Sequence, residues 1–113
     1  MINIKKIKKY SPLTETTFYI LISLLEPLHG YGIMQKVERL SNGRVKLGPG
    51  TLYGVLGNLL EAKMIELKDD SGINSRRKVY CIKQLGIDMI RFELGRLEEM
   101  IKNGRLLLND KGQ

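Results

Sequence analysis

One cysteine, one histidine and no tryptophan in 113 residues remove several classes of function at once. Cys81 has no partner for an intrachain disulfide, and with His29 it falls short of the three or four ligands of a zinc site. No metal and no cofactor is expected. The lone histidine also lacks a neighbouring acid or nucleophile for a catalytic relay, which leaves it a turn-forming or packing role and argues against an enzyme. The longest uncharged stretch, Leu47 to Leu60, has fourteen residues and four glycines, against the roughly 20 apolar residues of a spanning helix. Thr16 to Leu25, near the basic N-terminus, is bounded by Glu15 and Glu26 with no small-residue cleavage site after it. Neither a signal peptide nor a membrane segment is expected, and the setting is expected to be reducing and cytoplasmic.

What the chain does have is positive charge. Nineteen Lys and Arg against twelve Asp and Glu leave a formal +7, which draws polyanions over a Debye length. Nucleic acid leads, with an anionic membrane surface second. The excess is uneven: residues 1–46 carry a net +5, residues 47–60 no charge, residues 61–83 +2, and residues 84–113 zero. A basic front with a neutral tail suggests that one part meets a polyanion while the last segment pairs with another chain.

The apolar periodicity is helical, then alternating, then helical again. Ser11 before Pro12 reads as an N-cap with proline at the first helical position, followed by Leu13, Thr17, Ile20, Leu21, Leu24 and Leu25 up to Pro27. Tyr31, Met34, Val37 and Leu40 predict a second helix that stops at Asn42-Gly43. Gly48-Pro49 opens a third, with Leu52, Val55, Leu56 and Leu59 on one face up to about Ala62. Met64 to Lys68 and Arg77 to Ile82 predict a β-hairpin around the polar stretch Asp69 to Ser75. Leu85 to Leu108 predicts a long last helix, with Ile87, Ile90, Leu94, Leu97, Ile101 and Leu108 in one stripe that Gly104 interrupts. Helix, helix, helix, hairpin, helix is the order of a winged helix-turn-helix with an appended helix, mainly α with a small hairpin. Residues 1–83 are expected to form a basic arm and the winged-helix domain, and residues 84–113 a dimerisation helix and tail.

The third helix carries the sharpest signal. With Gly50 at zero and about 100° per residue, its core face points near 200° and the opposite face holds Gly50, Gly54, Gly57 and Glu61. Thr51 and Asn58 border that bare strip on one flank and Tyr53 on the other. Glycine inside a helix costs roughly 1 kcal/mol relative to alanine, so Gly54 and Gly57 need a compensating use. Either the helix enters a major groove, with Thr51 and Asn58 reaching base edges or phosphates and Tyr53 holding the backbone, or the glycines pack against another helix. Arg44 and Lys46 before this helix, and Arg76-Arg77-Lys78 beside the hairpin tip, would place cations on phosphates around a neutral reading surface. The run Lys5, Lys6, Lys8, Lys9, interleaved with Ile4 and Ile7, either lies along a phosphate backbone or is a frayed, solvated arm. Gly48 to Gly54 superficially suggests a dinucleotide loop, but Tyr53 stands where the last glycine belongs and no βαβ unit surrounds it.

Three ordered strings, His29-Gly30-Tyr31-Gly32-Ile33, Pro49-Gly50-Thr51-Leu52-Tyr53 and Arg76-Arg77-Lys78-Val79-Tyr80, with Gly86 six residues after Tyr80, resemble the PadR family of bacterial transcriptional regulators. The resemblance covers about Leu13 to Gly86. It implies a winged-helix repressor that dimerises through its C-terminal helix, binds a pseudo-palindromic operator in double-stranded DNA and is often released by a small-molecule effector. It also implies that Gly50, Thr51 and Tyr53 open the recognition helix, that Tyr31 opens the supporting helix, and that Arg76, Arg77 and Lys78 lie on the wing. A single short C-terminal helix looks like the compact subgroup. Many relatives carry basic residues where this chain has Gly57 and Asn58. Lys63 stands at a usual glycine, where a left-handed residue would be strained, and Gln84 replaces the usual Thr or Ser cap.

The expected DNA-binding set is therefore Tyr31, Lys46, Gly50, Thr51, Tyr53, Gly54, Asn58, Arg76, Arg77 and Lys78. The expected dimerisation set is Ile87, Ile90, Leu94, Leu97, Ile101 and Leu108. Met89 and Phe92, on a neighbouring face, are either an effector-cavity wall or core. The rival to a DNA-binding regulator is a winged-helix protein-interaction module without specific DNA binding, its glycine strip packed on a partner.

Overall fold

The N-terminal lysine run is helical and anchored. In the computed structural model, which describes residues 3–69 and 78–110, α1 (Ile4–Tyr10) is capped by the Asn3 side chain, which accepts from the Lys6 amide at 3.1 Å. A helix this short is marginal alone. Ile7 holds it, fully buried in the core.

The expected first helix starts later than its Ser11-Pro12 signal. α2 (Glu15–Ser23) is capped by Thr14, whose hydroxyl accepts from the Thr17 amide at 3.1 Å. Ser11 cannot serve as that cap because its own hydroxyl is turned to the long last helix, where it donates to Glu93 at 2.6 Å. Leu25, placed on the apolar stripe by periodicity, is exposed beyond the helix end.

α3 (Gly30–Leu40) corrects a second expectation. Its buried positions are Gly30, Ile33 and Val37, whereas Tyr31 is 68% exposed and Leu40 is exposed as well. The inward stripe keeps Val37 but is turned by about 40° from the expected one, because its first member is a glycine that no hydrophobic pattern displays. The helix ends as expected, with Asn42 at φ 53° and Gly43 at φ 81°. α4 (Pro49–Glu61) begins with proline in its first turn and buries Leu52, Leu56 and Leu59. It closes at Lys63, which takes φ 62° as its place at a usual glycine position predicted.

β1 (Ile65–Asp69) and β2 (Lys78–Ile82) pair antiparallel, Ile65 opposite Ile82 and Leu67 opposite Tyr80. A third segment joins them: Leu28 and Tyr80 exchange both backbone hydrogen bonds, at 3.1 and 2.9 Å. The wing is thereby tied to the chain entering α3. α5 (Gln84–Asp110) is a 27-residue helix, about 40 Å long. Its first turns are built into the domain, with Met89 and Ile90 buried in the same core as Ile20, Leu21, Ile33 and Leu56. Every residue from Glu98 to Asn109 is exposed.

Gly86 marks where α5 is pressed onto the domain. A Cβ there would lie 2.5 Å from the Met64 carbonyl oxygen and 2.7 Å from Ile82 Cγ1. Because the first obstacle is backbone, Gly86→Ala should destabilise the fold by about 2 kcal/mol. A thermal melt lowered by roughly 8–16 °C would register it; an unchanged melting temperature would show that the joint yields.

Candidate nucleic-acid interface

The glycines of α4 point into open space. A Cβ added at Gly50, Gly54 or Gly57 would meet no atom within 4 Å beyond the helix's own backbone. Among the described residues this removes the helix-packing explanation of the bare strip within one chain. Thr51 and Asn58 are both exposed on its flank, as the helical wheel placed them.

Tyr53, 52% exposed, occupies the opposite flank, with its hydroxyl against α3. A Cβ on Gly30 would lie 2.5 Å from that oxygen, so glycine at the first residue of α3 lets the phenol close over the helix start. Sequence reasoning missed Gly30 as a site-shaping residue; the only available signal was its place in the first string. Burial, together with the neighbouring Tyr53, holds the Tyr80 phenol above its ordinary value against the opposing charge of Lys78. Tyr80 thus remains neutral beneath the site. His29, expected in a turn-forming or packing role, is the N-cap residue of α3 without a side-chain bond to that helix, and its Nδ1 donates to the Lys78 carbonyl at 3.0 Å.

The two flanks of α4 have different neighbours. On the Tyr53 side lies α3, with exposed Tyr31 on its first turn. On the Asn58 side, Tyr10, Thr14 and Thr17 share a cavity of about 210 Å³ with Val55, Asn58 and Leu59. The bare strip is therefore framed by the helix-turn-helix partner on one side and the α1–α2 junction on the other.

Cations surround this neutral helix unevenly. Lys46 is exposed just before α4, and Lys78 is exposed at the start of β2. Arg44 is taken up by an ion pair with Glu15 at the head of α2, which ties the loop before α4 to the domain. Arg76 and Arg77 lie outside the described residues. The expected dimerisation stripe divides into parts. Ile90 is only 7% exposed and belongs to its own chain's core, while Ile87 and Leu97 are half-buried. Leu94, Ile101 and Leu108 are exposed at 44, 51 and 60%. Met89 is fully buried and Phe92 packs against the core, which assigns both to packing.

One polar residue in the core escaped the sequence reading. Glu93 on α5 is 1% exposed and accepts from the Ser11 hydroxyl and the Leu13 amide, each at 2.6 Å, and from Arg96 at 2.9 and 3.0 Å. Burial alone would raise its pKa, but the hydrogen bonds from Arg96, Ser11 and Leu13 outweigh it and hold the carboxyl below its ordinary value. Its i, i+3 spacing to Arg96 reads in sequence as an ordinary surface pair.

The helices α2, α3 and α4 followed by a hairpin whose strand pairs back to the segment before α3 define a winged helix-turn-helix, with α1 added in front. The model of the transcriptional regulator PadR-like family matches residues 19–91, and the chain belongs to that family. It is accordingly a regulator rather than an enzyme. It is 34% identical over 67 residues to an uncharacterised 37.1 kDa protein in transposon TN4556 of Streptomyces fradiae, a match spanning 59% of this chain and 18% of that protein. Its fold is similar to that of a PadR family transcriptional regulator from Eggerthella lenta, with 19% identity, a TM-score of 0.68, and 93 and 87% of the two chains covered. It is also similar to Bacillus subtilis PadR, solved in complex with operator DNA, with 20% identity, a TM-score of 0.63, and 74 and 48% covered. Among the described residues no helix is long and apolar enough to cross a membrane.

Proposed function

We propose that the chain is a sequence-specific DNA-binding repressor, acting in the cytoplasm as a homodimer on a pseudo-palindromic operator and open to release by a small effector. Family membership and the likeness to a regulator solved with operator DNA support DNA as the partner. The observation that carries the reading is the outward strip of Gly50, Gly54 and Gly57, which has no packing use among the described residues. A helix without side chains on one face lets its backbone approach a groove floor, while Thr51 and Asn58 reach base edges from the flank. Tyr31, Tyr53, Lys46 and Lys78 would hold phosphates, with Arg76 and Arg77 assigned the same role on the wing. Residues 1–83 would supply the DNA-binding unit and residues 84–113 the dimerising one, two recognition helices then lying about 34 Å apart.

The test exploits a conflict between stability and function. Since nothing obstructs a Cβ at either position, Gly54→Ala/Gly57→Ala should stabilise the fold by about 2 kcal/mol through helix propensity alone. The same change should weaken binding at least about tenfold to a duplex that the wild-type protein selects from a randomised pool. Mobility shifts alongside denaturant melts read both. A more stable variant with undiminished DNA binding would refute groove insertion by this strip, and a wild-type protein that selects no duplex from the pool would favour the protein-interaction module.

A further inference from the structure

We propose that α1 is a second phosphate-binding element, lying along the DNA backbone on the Asn58 side of α4. The inference rests on the DNA-binding reading above and assigns a partner to a surface which that reading leaves unused. α1 carries Lys5, Lys6, Lys8 and Lys9 in seven residues with no acid. None of the four makes an ion pair with a described residue, and Lys9 instead places its ammonium 5.5 Å from the centroid of the Tyr10 ring. Lys5, Lys8 and Lys9 are exposed. Relative to buried Ile7 they point to about 160°, 100° and 200° on the helical wheel, opposite the anchored face.

The anchoring changes what these charges can do. A frayed arm would lose chain entropy on settling against DNA, whereas a helix docked through Ile7 holds its lysines in place beforehand. Position adds to this. Tyr10, the last residue of α1, shares a cavity with Asn58 of α4, so α1 leaves the domain beside the flank opposite α3. A helix lying in a major groove has a phosphate backbone on each side; α3 borders one flank of α4 and the last residue of α1 borders the other, the body of α1 packing against α5.

Electrostatic need points the same way. α4 has no cation and ends in Glu61, so the recognition helix contributes no phosphate neutralisation of its own. Arg44 is committed to Glu15. Among the described residues, α1 is the densest group of cations without acidic partners, and duplex affinity rests on such charges.

The experiment uses the full chain with Lys5→Gln, Lys8→Gln and Lys9→Gln combined, which leaves Ile7 and the Asn3 cap in place. Binding to a 30-base-pair duplex of mixed sequence is measured across a salt series, because phosphate contacts do not depend on sequence. Removing two to three phosphate contacts should flatten the plot of log affinity against log salt by about 2 to 3. The dissociation constant should rise about 10- to 100-fold at low salt, with the melting temperature and oligomeric state unchanged. Hydroxyl-radical cleavage should show backbone protection lost at the outer edge of each site. A wild-type protein that binds the duplex and a triple variant with the same slope and affinity would overturn the role of α1 while leaving the DNA-binding reading intact. A wild-type protein that does not retain the duplex at low salt would defeat both. A variant defective only on phosphatidylglycerol vesicles would assign α1 to a membrane surface instead and overturn the proposal.

Discussion

Leu94→Glu/Ile101→Glu/Leu108→Glu should convert the protein into a folded monomer and reduce its affinity for a two-half-site operator about 100-fold or more. The size follows from linkage. On the proposed dimer two recognition helices would engage their half-sites as a single event, and separating them would remove an effective concentration worth about 10²–10⁴ in affinity. The direction follows from where these side chains lie. Leu94, Ile101 and Leu108 are exposed at roughly seven-residue spacing along α5, with Met100, Leu106 and Leu107 exposed beside them. Each leucine or isoleucine left in water forgoes about 1.5–3 kcal/mol of burial, and none of the described residues covers them. A partner α5 related by a two-fold axis would cover them with an identical stripe.

The three positions were chosen because they leave the fold alone. Glutamate at Ile90, the fourth member of the expected stripe, would unfold the domain, since that residue sits in the core. Sedimentation velocity should report about twice 12.9 kDa for the wild type and 12.9 kDa for the variant, with equal far-ultraviolet helicity per residue in the folded part. A variant that stays dimeric would place the dimer contact elsewhere and free the α5 stripe for another partner.

That stripe also shows how far pattern reading reaches. The 3–4 spacing from Ile87 to Leu108 located α5 to within two residues at each end, because a long helix repeats its signal many times. It did not separate the part that covers the domain from the part that projects beyond it. One apolar face serves both, and only contacts distant in sequence divide them. α4 was more legible. Its proline start, core face and bare strip are local properties, and the structure left each in place.

The failures share a cause. α1 was open between arm and phosphate contact because seven residues are too few for a helix without the core that receives Ile7. The α3 stripe was rotated because its first inward residue, Gly30, carries no side chain to count. Ser11 had the right chemistry for a cap and was claimed by a carboxylate 82 residues away. The bridge between Leu28 and Tyr80 is likewise a long-range pairing that no window of sequence contains.

Glu93 is the residue on which those distant contacts converge, and Glu93→Ala should cost about 3 kcal/mol, lowering the melting temperature by on the order of 10–20 °C. The truncation strands the Ser11 hydroxyl and the Leu13 amide at a part-buried site, while Arg96, 28% exposed, loses its carboxylate but keeps access to water. Buried donors without acceptors are costly in a way that the loss of an exposed ion pair is not. Glu93→Gln keeps one oxygen to accept from Ser11 or Leu13 and should lose less. Acid gives an independent check. The Glu93 carboxyl titrates below its ordinary value of 4.5 in the folded chain. The unfolded state therefore takes up its proton first, and the stabilisation is present above 4.5 and lost as pH falls through the folded value. The wild-type melting temperature should drop through that acid range more steeply than that of Glu93→Gln, which has no carboxyl to protonate. Parallel pH profiles for the two would mean that the carboxylate's charge does not hold the α1–α2 junction to α5, leaving shape and neutral hydrogen bonds to do so.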